Sequence, residues 1–424
     1  MKKAIATFAI AASAATIIRA ATPTVSGTGV SESGGTLTVT YTLDAAAVVT
    51  FDATTNGAPI DASCFKSAAG DVWKRVEAGT GTFSWRPAND IPLLNLDGAD
   101  LSVRVKAWDV EAPPDYMVVS LATNAATQVS VAYYECEAQL PGKVTDPVYK
   151  TSKLVMRKIP AAGVTWRMGS PSGELGRTMG SGAQETPHLV TLTADYYLGV
   201  YPVTIAQWNY MNGSKSTDMK AQRVNNMKDL RGDQSESGVA AWPGGGHTID
   251  KASSRLYIIR QYTGIDFDIP TEAQWEFACR AGESAALYTG EELSNTASSG
   301  ELDDVAWYAG NYPGTVVQWP AFMEVGLKAP NAYGLYDMLG NIYELCLDRY
   351  SATMSADAVT DPVGPTSGSD YVKRGGAISA PAYFCRAASR SMSNGSGAWA
   401  DAFITSPQHC NTGWRLWAPA QAVK

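Results

Sequence analysis

The chain has 424 residues, of which 45% are hydrophobic and 17% are charged, proportions typical of a globular protein with two or three domains. The formal net charge is −8, and no basic run is longer than two residues. A nucleic-acid-binding surface needs clustered lysine and arginine, so this class of function is excluded.

Residues 1–20 have the pattern of a secretory signal peptide. Lys2 and Lys3 precede a small, apolar run at 4–18, with suitable cleavage positions at Ala14 and Ala20. This run is shorter than the roughly 20 apolar residues of a spanning helix, and no later segment reaches that length. We expect a secreted, periplasmic or cell-surface protein with no transmembrane segment beyond the signal. A retained N-terminal anchor is the alternative.

Residues 22–122 are predicted to form an all-β sandwich of the immunoglobulin or fibronectin type. Threonines separate the apolar residues of segment 37–43, which is the period-2 pattern of a half-buried strand. Residues 47–53 and 101–108 have a similar pattern, and the Asn-Gly pair at 56–57 predicts a tight turn. We expect this domain to be a passive spacer, with adhesion as the alternative.

Residues 123–149 are predicted to be an interdomain segment, followed by a C-terminal domain at 150–424. Capping boxes predict helices after Thr204 and Thr271, each with a glutamine three residues later and a glycine beyond the helix. A third helix is predicted from Asp250 to Gly264. The remaining sequence is rich in Gly, Pro, Asn and Trp, which is typical of long functional loops.

Five segments of the C-terminal domain resemble, in this order, the sulfatase-modifying-factor family, whose best-known member is the formylglycine-generating enzyme. They are VTWRMGSPSGE (164–174), ETPHLVTLTADYYLGVYPVTIAQW (185–208), IPTEAQWEFACRAG (269–282), APNAYGLYDMLGNIYELCLD (329–348) and VKRGGAISAPAYFCRAASR (372–390), closed by GWRLW (413–417). The resemblance implies an irregular α+β fold, a C-type-lectin-like modifying-factor domain with a small twisted sheet. Arg374 and Arg415 are expected to fix its loops by multiple hydrogen bonds.

The resemblance also implies a calcium ion in the loop DMLGNIYE. Carried over by position, its ligands are the backbone carbonyls of Asp337, Gly340 and Ile342 and the carboxylate of Glu344. Calcium prefers six to eight oxygen ligands, which this set begins to supply. The alternative is that Glu344 only hydrogen-bonds the loop. The family's second calcium site is not expected, because residues 311–325 are short and lack its aspartate.

In the family, two cysteines that follow the glycine pair bind copper as thiolates, which suit monovalent copper. Ala380 stands where the first of them is expected, so we expect neither copper nor catalytic residues. The family's pairing of cysteines implies instead a disulfide between Cys279 and Cys385. The alternative places Cys385 at the second copper position. An exported chain with six cysteines suggests disulfides, but the pairing of the other four stays open.

Between Gly376 and Gly413, small and polar residues alternate with aromatic ones, which is the composition of a recognition loop. Loops of the C-type-lectin-like fold are known as display surfaces. The predicted binding surface comprises four aromatic residues and one histidine: Tyr383, Phe384, Trp399, Phe403 and His409. The alternative is that the aromatic residues pack beneath the loops as core.

We therefore expect a secreted protein whose modifying-factor domain lacks the copper-binding cysteine pair. Its expected role is that of a calcium-stabilised binding or display module for an unknown protein or glycan ligand. The alternatives are an oxidoreductase that converts a sulfatase cysteine to formylglycine, another activity on the same fold, and a purely structural surface protein.

Overall fold

The computed structural model describes residues 22–91, 100–121, 129–177, 184–224, 227–231, 249, 254–313, 322–368, 370–393 and 411–423. The predicted signal peptide lies outside these ranges. The strands are β1 (Val25–Ser33), β2 (Thr36–Leu43), β3 (Ala47–Thr55), β4 (Ala58–Pro59), β5 (Ala69–Gly70), β6 (Arg75–Val76), β7 (Gly79–Trp85), β8 (Leu101–Asp109), β9 (Tyr116–Ser120), β10 (Val131–Tyr134), β11 (Lys153–Ile159), β12 (Val164–Met168), β13 (His188–Leu192), β14 (Tyr196–Gly199), β15 (Tyr343–Arg349), β16 (Val359–Thr360), β17 (Tyr371–Arg374), β18 (Arg390–Ser393), β19 (Thr412–Gly413) and β20 (Trp417–Pro419).

The α-helices are few and short: α1 (Pro87–Asp90), α2 (Val148–Thr151), α3 (Ile205–Met211), α4 (Met227–Arg231), α5 (Arg255–Thr263) and α6 (Glu272–Arg280). Short 3-10 helices span Ala62–Cys64, Glu137–Gln139, Gly300–Leu302 and Ala382–Phe384. The predicted β-rich architecture with few helices is confirmed. In the part of the chain that the structure describes, no helix has the length and apolarity needed to cross a membrane.

Two antiparallel sheets form the N-terminal part of the structure. One has the strand order β1-β2-β7-β5, and in the other β3 pairs with β4, β6 and β8. The predicted alternation is present in β2, whose four apolar side chains are all buried. Asn56 and Gly57, with φ of 49° and 75°, form the predicted turn between β3 and β4. The rings of Phe51 in β3 and Trp85 in β7 lie 5.5 Å apart, so the two sheets pack face to face.

A five-stranded antiparallel sheet, with the order β10-β9-β11-β14-β20, joins the two halves of the chain. Strands β9 and β10 come from sequence before residue 150, whereas the other three come from sequence after it. Trp73 stacks on Tyr134 of β10 at 5.5 Å, and its carbonyl accepts the Tyr133 N–H at 2.7 Å. The N-terminal sheets therefore pack directly against this central sheet.

Two smaller sheets, β12-β13-β16 and β18-β17-β15-β19, complete the C-terminal part. Helices α3 and α6 begin at the predicted capping boxes, where the hydroxyls of Thr204 and Thr271 accept backbone N–H groups at 3.0 and 3.2 Å. Helix α5 confirms the third predicted helix over Arg255–Thr263, and it begins after Ser254, later than the predicted start at Asp250. All residues of α6 are buried, and the helix lies beside β12, β15 and β17. It therefore positions the side chains described next.

Candidate functional site

The glycine pair after β17 lets the backbone pass closely over its neighbours. Gly375 and Gly376 have φ of 90° and 76°, a region that L side chains rarely adopt. A Cβ on Gly376 would lie 2.5 Å from the sulfur of Cys385, and one on Gly375 would lie 2.9 Å from the Met338 carbonyl oxygen. Both positions therefore require glycine, and Cys385 is held tightly against the loop.

The residues present do not fit the copper site that the family resemblance raises. Ala380, at the first ligand position, is buried and supplies only a methyl group. Cys385 is fully buried, and this burial raises the pKa of its thiol to about 12. A protonated thiol in such surroundings is a poor metal ligand and a poor nucleophile. The site thus lacks one sulfur and holds the other as an inert thiol.

The predicted disulfide between Cys279 and Cys385 is not present in the structure, and both residues are free thiols. They belong to one buried hydrophobic cluster. The sulfur of Cys385 faces Gly376 and the backbone N–H groups of Ala377 and Gly340, whereas Cys279 lies on α6, where burial raises its pKa to about 12. The structure thus shows two buried thiols at this pair, and the disulfide stays a prediction.

The other cysteines that the structure describes are also free. Cys346 is buried, and Cys64 and Cys136 are half-buried. Cys410 lies outside the described residues.

The Glu344 carboxylate, a predicted calcium ligand, is occupied by protein donors. Arg415 donates to its Oε1 at 2.7 and 3.1 Å and to its Oε2 at 3.0 Å. Trp275 Nε1 donates to Oε2 at 2.7 Å. Three N–H groups therefore bind this carboxylate, and the Arg415 Nε–H is shared between its two oxygens. Arg415 has the predicted loop-fixing role, since it also donates to the carbonyls of Gly199, Val200 and Tyr336.

The rest of the predicted calcium set lies in a tight, left-handed stretch of backbone. The Asp337 carboxylate accepts the Gly326 N–H at 2.6 Å and the Asn341 side-chain amide at 3.2 Å. The Gly340 carbonyl accepts the Ile342 N–H at 2.7 Å. Burial raises the pKa of Asp337 above its usual range. Among the described residues, no three His, Cys, Asp or Glu side chains are grouped to hold a metal ion.

Buried ion pairs connect the motifs to one another. Arg386, in the fifth motif, pairs with Glu185 of the second motif at 2.8 Å and also with Glu174 of the first. Arg374 pairs with Glu276 of α6, in the third motif. These contacts confirm that Arg374 fixes loops. They also show that Arg386 and its two glutamate partners hold the motifs together.

An aromatic cluster lies beside Ala380 and comprises Tyr343, Tyr383 and Phe384. The Tyr383 and Phe384 rings are 4.4 Å apart, and Phe384 meets Tyr343 edge-on at 6.3 Å. Phe384 is half-buried, and the other two are largely buried. The predicted surface residues Trp399, Phe403 and His409 lie outside the described residues. Tyr343 was not among the predicted surface residues. It is the next-to-last residue of DMLGNIYE, a segment with no other aromatic residue to indicate an aromatic cluster.

Comparisons with known proteins agree with the motifs. The sulfatase-modifying factor enzyme 1-like domain matches residues 162–402 of this chain. The mouse formylglycine-generating enzyme is 34% identical over 131 residues, which cover 29% of this chain and 34% of that enzyme. The serine/threonine-protein kinase pkn1 of Chlamydia pneumoniae is 32% identical over 218 residues, which cover 48% of this chain and 31% of that kinase. The chain thus spans about a third of the length of these relatives.

Among solved structures, the Treponema denticola variable protein 1 has a TM-score of 0.43 and 23% identity, covering 63% of this chain and 95% of that one. The family match extends over more than half of the chain. The protein therefore belongs to the sulfatase-modifying factor enzyme 1-like family.

Proposed function

We propose that the C-terminal domain is a binding or display module and not a catalyst of formylglycine formation. The observation that carries this proposal is the pair formed by Ala380 and Cys385. The first offers no sulfur, and the second is a fully buried thiol whose pKa is raised to about 12 by burial. Copper oxidation needs two accessible thiolates, and the motif arginines Arg374, Arg386 and Arg415 are engaged in ion pairs.

The test is copper-dependent oxygen consumption with a peptide that carries the sulfatase cysteine motif. The mouse formylglycine-generating enzyme is the positive control. We expect no oxygen consumption and no aldehyde in the peptide for this protein. Turnover would instead support the alternative function, an oxidoreductase that converts a sulfatase cysteine to formylglycine.

The aromatic cluster supports the binding role, with an unidentified protein or glycan as ligand. Phe384 is half-buried and packs in one cluster with Ala380 and Tyr343. Ligands identified on a glycan array should be lost from a Phe384→Ser variant. Leu189→Ser, which changes an apolar side chain that is 47% exposed, is the matched control. Retained binding in Phe384→Ser, or equal loss in both variants, argues against this surface.

Calcium at the loop 337–344 stays a prediction. The resemblance in the segment DMLGNIYE supports it, whereas the Glu344 carboxylate, already bound by Arg415 and Trp275, opposes it. If calcium binds there, a chelator lowers the melting temperature of the wild type and has no effect on Glu344→Gln, which lacks the predicted carboxylate ligand. An unchanged melting temperature, with no calcium found by elemental analysis, argues against the ion.

We also propose that the two N-terminal sheets form an immunoglobulin- or fibronectin-like spacer, residues 22–122, joined through 123–149 to a C-type-lectin-like domain at 150–424. Export to the periplasm, the cell surface or the medium follows from the signal-like residues 1–20. N-terminal sequencing of the protein recovered from cell fractions tests both cleavage and location.

A further inference from the structure

A separate cavity of about 180 Å³ lies between β13, the N-terminal end of α6 and the loop that follows β15. Its polar wall includes His188, Asp348 and Arg390, and its apolar wall includes Met168, Met354 and Val359. A dry cavity of roughly 150 Å³ accommodates a molecule the size of benzene. This space is therefore sufficient for a small organic ligand, and it does not include Ala380 or the aromatic cluster.

Asp348 is the buried acid of this cavity and is only 3% exposed. Its Oδ2 accepts the backbone N–H of Glu272 at 2.6 Å, at the first turn of α6. No arginine, lysine or histidine among the described residues forms an ion pair with it. A buried carboxylate without a cationic partner is unfavourable, so a cation is the species that this position lacks.

The arginines near the cavity are already engaged. Arg390 donates to both oxygens of Glu272, at 2.5 and 2.8 Å, and its remaining nitrogen bonds the carbonyls of Gln184 and Ser351. Arg349, the next residue along β15, donates to the Gly368 carbonyl. All three nitrogens of Arg390 are thus engaged by acceptors other than Asp348, which leaves a positive charge for this acid to be supplied by a ligand.

His188 provides a second acceptor for such a ligand, and its side chain is largely buried, with 7% of the residue exposed. Its Nδ1 lies 2.8 Å from the Thr186 carbonyl oxygen. A carbonyl only accepts, so Nδ1 carries the proton and the neutral ring has its lone pair on Nε2. Nε2 has no hydrogen-bond partner among the described residues.

We propose that this cavity binds a small primary ammonium compound with a short apolar chain. Its ammonium group donates to the Asp348 carboxylate and to His188 Nε2, two acceptors that a single three-donor group can satisfy. The chain packs on the two methionines and Val359. A neutral alcohol would leave the acid without its counter-charge, and a carboxylate would be repelled by it.

The test is a titration of the full-length protein at pH 8 with butylammonium, with butan-1-ol and butyrate as controls. In a protein with ¹³C-labelled methionine methyl groups, butylammonium should shift the signals of Met168 and Met354 but not that of Met117 in β9. Asp348→Asn keeps an acceptor for the Glu272 N–H and should weaken butylammonium binding about tenfold or more, equivalent to about 1.4 kcal/mol.

Asp357→Asn, which changes an exposed carboxylate in the same loop, is the matched control and should bind as the wild type does. Equal affinity for butylammonium and butan-1-ol, unchanged binding by Asp348→Asn, or no shift of the Met168 and Met354 signals overturns the proposal. If Asp348→Asn does not fold, the proposal is tested on the wild type alone. The methyl shifts and the comparison of butylammonium with butan-1-ol and butyrate then show whether the cavity prefers an ammonium group.

Discussion

Arg415 and Glu344 form a bidentate ion pair in the interior of the C-terminal part, with Nη2–Oε1 and Nε–Oε2 distances of 2.7 and 3.0 Å. Both side chains are almost completely buried. The arginine comes from the motif GWRLW and the glutamate from DMLGNIYE, so the pair fixes the last motif to the fourth. It also gives the predicted metal ligand a different, structural partner.

The Arg415→Met substitution should destabilise the protein strongly. It leaves the Glu344 carboxylate buried and without its counter-charge, and removal of one partner of such a pair costs about 3–5 kcal/mol. The free energy of unfolding in urea measures the loss. Arg104→Met is the control, because it breaks an ion pair with Asp52 in which the arginine side chain is 73% exposed. That loss should stay below about 1 kcal/mol, and equal losses in the two variants contradict a central role for Arg415.

Gly376→Ala should cost more stability than Gly163→Ala. Both glycines have a φ of 76°, so both substitutions bring the same backbone strain, about 1–2 kcal/mol. Only at Gly376 does the new methyl group meet the Cys385 sulfur, at 2.5 Å, whereas nothing lies within 4 Å of a Cβ on Gly163. We expect a further loss of about 1–3 kcal/mol from this overpacking. Urea unfolding measures the free energy of unfolding of the two variants. Similar losses of stability would mean that the loop over Cys385 shifts to accommodate the methyl group, and would contradict the prediction.

The thiols should differ in reactivity in the native, reduced protein. Cys279 and Cys385 are fully buried, and burial raises the pKa of each thiol to about 12. Alkylation requires an accessible thiolate, so iodoacetamide should modify the half-buried Cys64 and Cys136 first. Peptide mass mapping after a timed reaction gives the order. Early modification of Cys385 points to an open, reactive site and weakens the proposal of a non-catalytic domain.

Asp348→Asn should stabilise the protein near neutral pH and have little effect near pH 4. Burial, and then the charge of Glu272, raises the pKa of Asp348 to about 7, although Arg390 opposes this shift. An acid whose pKa is higher in the folded state loses stability as the pH rises from the unfolded to the folded pKa, here from about 4 to about 7. His188 and Arg349 also line this cavity.

Thermal unfolding at several pH values measures this effect, with a shift of roughly 2–4 °C for each kcal/mol in a domain of this size. The gain in melting temperature for Asp348→Asn should grow between pH 4 and pH 8. A gain that is the same at every pH assigns the effect to packing, and a loss at pH 8 contradicts the raised pKa.

Local features of this fold were accessible from sequence. The Thr271 and Gln274 capping box, and the alternation of apolar residues and threonines in β2, depend on residues a few positions apart. The five ordered motifs predicted the family, and the structure has the predicted helices at each capping box. The pairing of β9 with β11 was not predicted, because no short-range pattern specifies which strand lies beside another.

The sequence by itself determined that Ala380 has no sulfur to offer copper, since the identity of a side chain sets its chemistry. Only the tertiary structure decided the partners of Glu344, Cys385 and Asp348. Glu344 contacts an arginine 71 residues away in sequence, and Asp348 accepts a hydrogen bond from a residue 76 positions away. Burial and long-range contact set the charge and the availability of these groups, and both arise only when distant segments pack together.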